Sequence, residues 1–166
     1  RRSSDLYGAY LENIDPLINT LEKFTSLKSL GIDFKHNKTI TSFSNLGTLL
    51  SHTNNLRRLF LGFLFCDKIS DADLQGVIKG IKNQSNLREL ALDFGRCHPE
   101  SQTFLPLFEE IAKKNLLSFE LRLSDISWIS NQTMSELAQA ISSWKELRCL
   151  KLEVDGDKAN DQGLEI

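Results

Sequence analysis

Apolar residues recur along this chain in one template, Leu-x-x-Leu-x-Leu-x-apolar, which occurs five times. The first leucines of successive copies are 29, 31, 29 and 31 residues apart, so the period is nearly constant. The last three apolar positions of each copy alternate with other residues, which is the pattern of a strand with one buried face. The template therefore predicts five strands, near residues 27–34, 56–63, 87–94, 116–123 and 147–154.

Between the predicted strands, apolar residues four positions apart indicate one helix per repeat. Leu46 with Leu50, and Val77 with Ile81, show this spacing, which places both side chains of each pair on one helix face. One repeat cannot bury both its strand face and its helix face, so successive repeats are expected to stack. Stacking predicts an α/β leucine-rich-repeat solenoid (horseshoe), with parallel β-strands on the concave side and α-helices on the convex side.

The helix ends carry weaker signals. Asp71 or Asn131 is expected to be the N-cap of its helix, because its side chain can accept from free backbone N–H groups. In the third repeat, Pro99 and Pro106 predict a longer loop and a shorter helix, because proline cannot continue a helix interior.

The whole chain, residues 1–166, is expected to be a single repeat domain of about five repeats. It begins with Arg-Arg-Ser-Ser, and residues 161–164 look like the start of a further helix. Both ends are therefore expected to be cut from a longer array.

Composition narrows the class of protein. With 40% hydrophobic and 25% charged residues, the 166-residue chain can form a globular core. A net charge of −2 favours neither nucleic acid nor an anionic membrane as the main partner. Three cysteines form no even framework and are expected to be reduced thiols. This favours an intracellular location, with the cytoplasm first and the nucleus as an alternative.

The template resembles the ribonuclease-inhibitor-like class of leucine-rich repeats. The resemblance covers about residues 16–166, and the extra apolar position at the strand end is similar to a variant found in proteins of single-celled eukaryotes. It implies binding of another protein on the concave sheet, as in inhibitors, sensor domains, substrate receptors, GTPase activators and assembly subunits. Besides the leucines, three features carry the resemblance. The tenth residue after the first leucine is Asn37, Cys66 or Cys97 in the first three repeats, and the helix entry of the second repeat contains Ile69 and Asp71. The extra apolar position is Phe34, Phe63 or Phe94.

The strand alternation indicates which residues would face a partner. Phe60 is the first candidate, because small neighbours at Gly31, Gly62 and Ala91 leave room for a partner side chain and aromatic residues are frequent binding hot spots. The alternative is that Phe60 packs only on its own neighbours. The full candidate set of partner-binding residues is Arg58, Phe60, Glu89, Asp93, Glu120, Arg122, Lys151 and Glu153.

Two groups of charged residues have both a functional and a structural interpretation. Glu120, Arg122, Lys151 and Glu153 are more often a cross-strand lattice of ion pairs than a binding site. The position after each first leucine forms a basic column, which is expected to be a solvated rim more often than a grip for a phosphate or an acidic segment. That column contains Lys28, Arg57, Arg88 and Arg148, with Leu117 interrupting it.

Catalytic chemistry is not indicated. His36, His52 and His98 show no metal or triad spacing, so no catalytic residue, metal or cofactor is expected. The predicted function is a non-catalytic protein–protein interaction scaffold that binds another protein, of unknown identity, on the concave sheet. The alternatives are a structural subunit of a large assembly, or a GTPase-activating regulator that uses Arg96 or Arg122.

Overall fold

Helices and strands alternate along the chain. The computed structural model describes residues 12–66, 68–97, 101–124 and 129–155; Pro99, His98 and the segment 161–164 lie outside these ranges. The helices are α1 (Asp15–Leu21), α2 (Ser44–His52), α3 (Asp71–Lys82), α4 (Leu105–Ala112) and α5 (Asn131–Ser142), with a short 3-10 helix at Ser101–Phe104. The strands are β1 (Ser29–Asp33), β2 (Arg58–Gly62), β3 (Glu89–Asp93), β4 (Ser118–Ser124) and β5 (Cys149–Asp155).

The five strands form one parallel sheet in the order β1-β2-β3-β4-β5. Their register places the same repeat position of neighbouring strands side by side, so that Phe60 lies between Gly31 and Ala91. The prediction of an α/β fold with a parallel sheet and alternating helices is confirmed, and the arrangement is leucine-rich-repeat-like. The first three strands lie within the predicted windows, and the last two end one residue beyond theirs. All five start two residues later than predicted, because the first leucine of each copy lies in the turn before the strand.

The core lies between the sheet and the helices, and stacked phenylalanines run through it. The ring centroid of Phe63 is 5.7 Å from that of Phe34 and 5.3 Å from that of Phe94. Phe43, at the entry to α2, meets Phe63 edge-on at 5.4 Å. Such pairs stabilise beyond their area burial, so the extra apolar position of the template links three successive repeats.

The last strand differs from the template. Leu150, Leu152 and Val154 occupy positions that are predicted to be buried, yet 45%, 40% and 46% of their surfaces are exposed. The reason is geometric, since β5 is the edge strand of the sheet and no further repeat of the described residues covers its inner side.

Two helix starts lie one residue earlier than expected. The N-caps are Ser70 and Ser130, whose hydroxyls accept from the backbone N–H groups of Asp73 and Thr133. Asp73 also accepts from the backbone N–H of Ser70 and so completes a capping box. Asp71 and Asn131 are therefore first helical residues, and the prediction that they are N-caps is wrong.

Buried side chains in two of the turns that join a helix to the next strand form hydrogen bonds to the preceding repeat. Gln84 donates to the carbonyl of Leu50 and accepts from the backbone N–H of Leu56. In the fifth repeat, the indole N–H of Trp144 donates to the carbonyl of Ile111 at 3.0 Å. All the helix C-termini therefore lie along the same edge of the molecule as the strand starts.

Candidate protein-binding site

The side chains that point away from the helices form the outer surface of the sheet, which we call the sheet face. They come from alternate strand positions, and parallel pairing brings equivalent positions into rows. The described residues of the sheet face are Ser29, Gly31, Asp33, Arg58, Phe60, Gly62, Glu89, Ala91, Asp93, Ser118, Glu120, Arg122, Cys149, Lys151 and Glu153.

Phe60 is the aromatic side chain of this face, and it is half-buried. A methyl group at Gly62 would lie 3.1 Å from Phe60 Cζ, so the ring leans along its own strand over Gly62. On the other side, a methyl group at Gly31 would lie 3.8 Å from the ring. Phe60 thus packs on its small neighbours and still presents a ring surface to solvent.

A shallow depression of about 500 Å³ opens around Phe60. Glycine and alanine at the flanking positions create it, and Arg58 and Glu89 form part of its wall. Arg58 and Glu89 are neighbours in register and both are exposed. Neither side chain forms a hydrogen bond or ion pair with another residue in the part of the chain that the structure describes. This half of the sheet face therefore offers an aromatic ring and two opposite, unpaired charges.

The other half of the sheet face is internally paired around Arg122. Its Nη2 lies 2.7 Å from Glu120 Oε1, its Nη1 lies 3.6 Å from Asp93 Oδ2, and its Nε lies 3.5 Å from Glu153 Oε2. Lys151 Nζ donates to Glu120 at 3.0 Å. Four of the eight candidate residues thus form the lattice that the sequence offers as the structural alternative, and Asp93 is a fifth member that the sequence analysis did not include.

The lattice changes the properties of two carboxylates. The hydrogen bond from Lys151, followed by the charge of Arg122, holds the pKa of Glu120 below its ordinary value, and partial burial opposes this shift. Asp93 is only 7% exposed, and its second oxygen accepts from the backbone N–H of Gly95 at 3.0 Å. Asp93 therefore supports the lattice from below and presents little surface to a partner.

An aromatic and cationic stack at the carboxyl ends of the strands is a feature that sequence reasoning missed. The His36 ring stacks on Phe65 at 4.6 Å, and the Arg96 guanidinium lies 4.7 Å above the same ring. All three residues have φ between 55° and 61°, the left-handed region that non-glycine residues seldom adopt. Each of the three residues stands nine positions after the first leucine of its repeat, so their alignment is visible in the sequence. Their left-handed backbone conformation is not.

The remaining chemistry is structural where the chain is described. The thiols of Cys66 and Cys97 donate to the carbonyls of Phe34 and Phe63, at 3.1 and 2.9 Å. Within the described ranges, no three His, Cys, Asp or Glu residues are grouped to hold a metal ion. No described helix is both long enough and apolar enough to cross a membrane.

No protein-family model matches the sequence, and no curated protein is significantly similar to it. Solved structures do match in fold. One is leiomodin-1 actin-binding site 2, with a TM-score of 0.63 and 14% identity, covering 84% of this chain and 79% of that one. Another is a tropomodulin C-terminal domain of Caenorhabditis elegans, with a TM-score of 0.61 and 18% identity, covering 91% of this chain and 86% of that one.

These neighbours correct the family expected from the sequence. The assignment to the ribonuclease-inhibitor-like class is wrong, because the structures that this chain resembles are leiomodin and tropomodulin domains. The columns behind that assignment are buried core positions, and different repeat proteins can bury the same residue types there. In fold, the chain is similar to these leiomodin and tropomodulin domains.

Proposed function

We propose that this chain is a non-catalytic protein-binding module and that the half of the sheet face around Phe60 contacts the partner. The observation that carries the proposal is the half-buried Phe60 ring beside a depression with unpaired Arg58 and Glu89 on its wall. An aromatic anchor with polar groups around it is the usual composition of a binding hot spot. The module is a curved solenoid (horseshoe) with the sheet on its concave side, in an intracellular, cytoplasmic protein.

Actin is the first partner to test. One solved structure of similar fold is actin-binding site 2 of leiomodin-1. At 14% identity this likeness concerns the fold, so the proposal depends on the Phe60 surface for its contact residues. The part of the sheet face that we place in contact is Arg58, Phe60 and Glu89, with Glu120 at its border.

Sedimentation with actin filaments tests this proposal. We expect the unaltered protein to sediment with the filaments and Phe60→Asp to bind about 30-fold more weakly, since truncating a hot-spot residue costs about 2 kcal/mol or more. The matched control is Leu17→Asp, because Leu17 is also a large exposed apolar residue (46%) and lies in α1, away from the sheet face. The control should bind as the unaltered protein does.

Thermal unfolding separates a lost contact from a lost fold. Because Phe60 is partly exposed and lies outside the hydrophobic core, Phe60→Asp should leave the melting temperature nearly unchanged. If Phe60→Asp unfolds the protein, the ring is part of the core and the proposed surface is wrong. If the unaltered protein does not sediment with actin, actin is removed as the partner.

The geometry does not favour a GTPase-activating role. A catalytic arginine must extend toward the phosphates of another protein. Arg122 contacts three carboxylates of its own sheet, and Arg96 lies over Phe65. Moving either one would break these contacts, so we propose that both arginines are structural.

A further inference from the structure

The edge of the molecule where helices give way to strands carries much more positive charge than the rest of the chain. It is formed by five turns, residues 22–28, 53–57, 83–88, 113–117 and 143–148, which we call the basic edge. These turns contain eight lysines and arginines and only two acidic residues, Glu22 and Glu146, although the chain as a whole has a net charge of −2. The eight basic residues are Lys23, Lys28, Arg57, Arg88, Lys113, Lys114, Lys145 and Arg148.

Backbone hydrogen bonds fix part of these residues in a straight row. The N–H of Arg57 donates to the carbonyl of Lys28 at 2.8 Å, and the N–H of Arg88 donates to that of Arg57 at 2.9 Å. The same pattern continues through Leu117 to Arg148, at 2.7 and 2.9 Å. Neighbouring positions of the row are therefore about 4.8 Å apart, and five positions span about 19 Å.

The row is accessible. Lys28, Arg57 and Arg148 are exposed, and their side chains form no hydrogen bond or ion pair with any other residue within the described ranges. Arg88 is half-buried and donates to the carbonyl of Asn115 at 2.7 Å, which holds it along the edge. Leu117, also half-buried, places one apolar side chain between Arg88 and Arg148.

Cations from the helix ends add to the field behind the row. Lys113 and Lys82 share one carboxylate, Glu110, at 2.7 and 3.8 Å. Lys114 donates to the carbonyl of Lys82 at 2.8 Å, and burial, helped by the charge of Lys113, lowers the pKa of Lys114 against the attraction of Glu110. Because Lys82 and Lys113 share the single carboxylate of Glu110, this edge keeps a net positive charge.

From this arrangement we infer that the basic edge is a second docking surface, separate from the sheet face, for an acidic segment of a partner protein. Carboxylates at i and i+4 on a helix, about 5–6 Å apart, come close to the spacing of the row. Alternate carboxylates of an extended segment, about 6.6 Å apart, are within reach of the long lysine and arginine side chains. An apolar side chain of the segment would meet Leu117.

A nucleic acid fits less well for two reasons. The adjoining sheet face carries the carboxylates of Asp33, Glu89, Glu120 and Glu153, which repel a phosphate backbone. The row itself has no aromatic side chain on which a base would stack. A narrow peptide along the edge avoids the acidic face, whereas a broad polyanion does not.

Fluorescence anisotropy at low salt tests the inference with a labelled probe peptide of glutamates around one central leucine. About eight residues in an extended conformation are enough to span the row. The edge variant combines Lys28→Gln, Arg57→Gln and Arg148→Gln. The control combines Lys35→Gln, Lys38→Gln and Lys68→Gln, exposed lysines near the other ends of the strands, so that both variants lose the same charge.

We expect the unaltered protein and the control to bind the peptide and the edge variant to bind it about tenfold more weakly, from the loss of three exposed ion pairs. A peptide with glutamine in place of glutamate should not bind, and salt at about 0.15 M should weaken binding. Melting temperatures should agree among the three proteins, because the substituted side chains make no described contact. Phe60→Asp should bind the peptide normally, which separates this surface from the actin proposal.

Three results would overturn the inference. The first is no binding of the glutamate peptide by the unaltered protein at low salt. The second is an equal loss in the edge and control variants, because binding would then follow net charge alone. The third is tighter binding of a single-stranded oligothymidylate than of the peptide, since the edge would then be a nucleic-acid surface.

Discussion

Glu120 shows how one residue of the sheet face couples to its neighbours. Its pKa lies below its ordinary value chiefly because Lys151 donates a hydrogen bond to it. A folded-state pKa below the unfolded one means that ionised Glu120 stabilises the fold at neutral pH. That contribution is lost as the pH falls through the folded-state pKa.

We therefore expect Lys151→Met to raise the pKa of Glu120, which an NMR titration of the side-chain carboxyl carbon measures. Glu110 serves as the internal control, because its pKa is lowered chiefly by a hydrogen bond from Lys113. Lys113→Met should raise the pKa of Glu110 and leave Glu120 unchanged. If Lys151→Met does not move the pKa of Glu120, the lattice does not persist in solution.

Two glycines at the contact between α2 and α3 have opposite roles, although both stand twenty residues after the first leucine of their repeat. A methyl group at Gly47 would lie 2.5 Å from the backbone oxygen of Gly76, a distance that only separation of the helices can relieve. A methyl group at Gly76 would lie 3.8 Å from its nearest neighbour, an ordinary contact.

Alanine substitutions at these glycines should therefore change stability in opposite directions. Gly47→Ala should lower the free energy of unfolding by about 1–3 kcal/mol, the usual cost of overpacking. Gly76→Ala should raise it by up to about 1 kcal/mol, because alanine favours a helix interior over glycine. Urea denaturation of both variants measures this difference. Equal effects of the same sign would mean that the two helices do not approach as closely as described.

At the level of helices and strands, the sequence predicts features that are set within one repeat, such as strand positions. It does not predict the contacts between helices of neighbouring repeats. Strand positions follow from alternation, and the start of α4 follows from Pro106 in its first turn, where the missing N–H of proline costs no helical hydrogen bond. The clash at Gly47 depends on the distance between helices, which no local pattern contains. The cap at Ser70 is an exception, because it lies within one repeat and its Ser-x-x-Asp spacing to Asp73 is present in the sequence.

For the whole molecule, the same division separates the fold from the binding surface. The apolar positions that recur in every repeat predict that the repeats stack, because each repeat must bury these side chains against its neighbours. Outward residues such as Arg122 and Glu153 pair across strands, and the side-chain geometry that pairs them is absent from the linear pattern. Arg58 and Glu89 are also neighbours of opposite charge, yet they form no ion pair within the described residues. The sequence alone does not distinguish neighbours that pair from neighbours that do not.

Stacked repeats should also unfold in a local order. Each strand pairs with the next one along the chain, so a defect is expected to weaken its own repeat and the adjacent repeats most. Phe63 contacts Phe34, Phe43 and Phe94, whereas Phe119 contacts Trp144 at 5.0 Å. Removing either buried ring should cost about 3–5 kcal/mol, a large part of the 5–15 kcal/mol that is typical of a domain.

The two defects should be distinguishable by where amide hydrogen exchange accelerates. Phe63→Ala should speed exchange chiefly in β1, β2 and β3, and Phe119→Ala should do so chiefly in β4 and β5, since the ring contacts of each residue lie in those repeats. Mass spectrometry of peptides from each strand, under native conditions, measures this distribution. If both variants accelerate exchange equally in all five strands, the sheet opens as one cooperative unit and the nearest-neighbour description of these repeats is wrong.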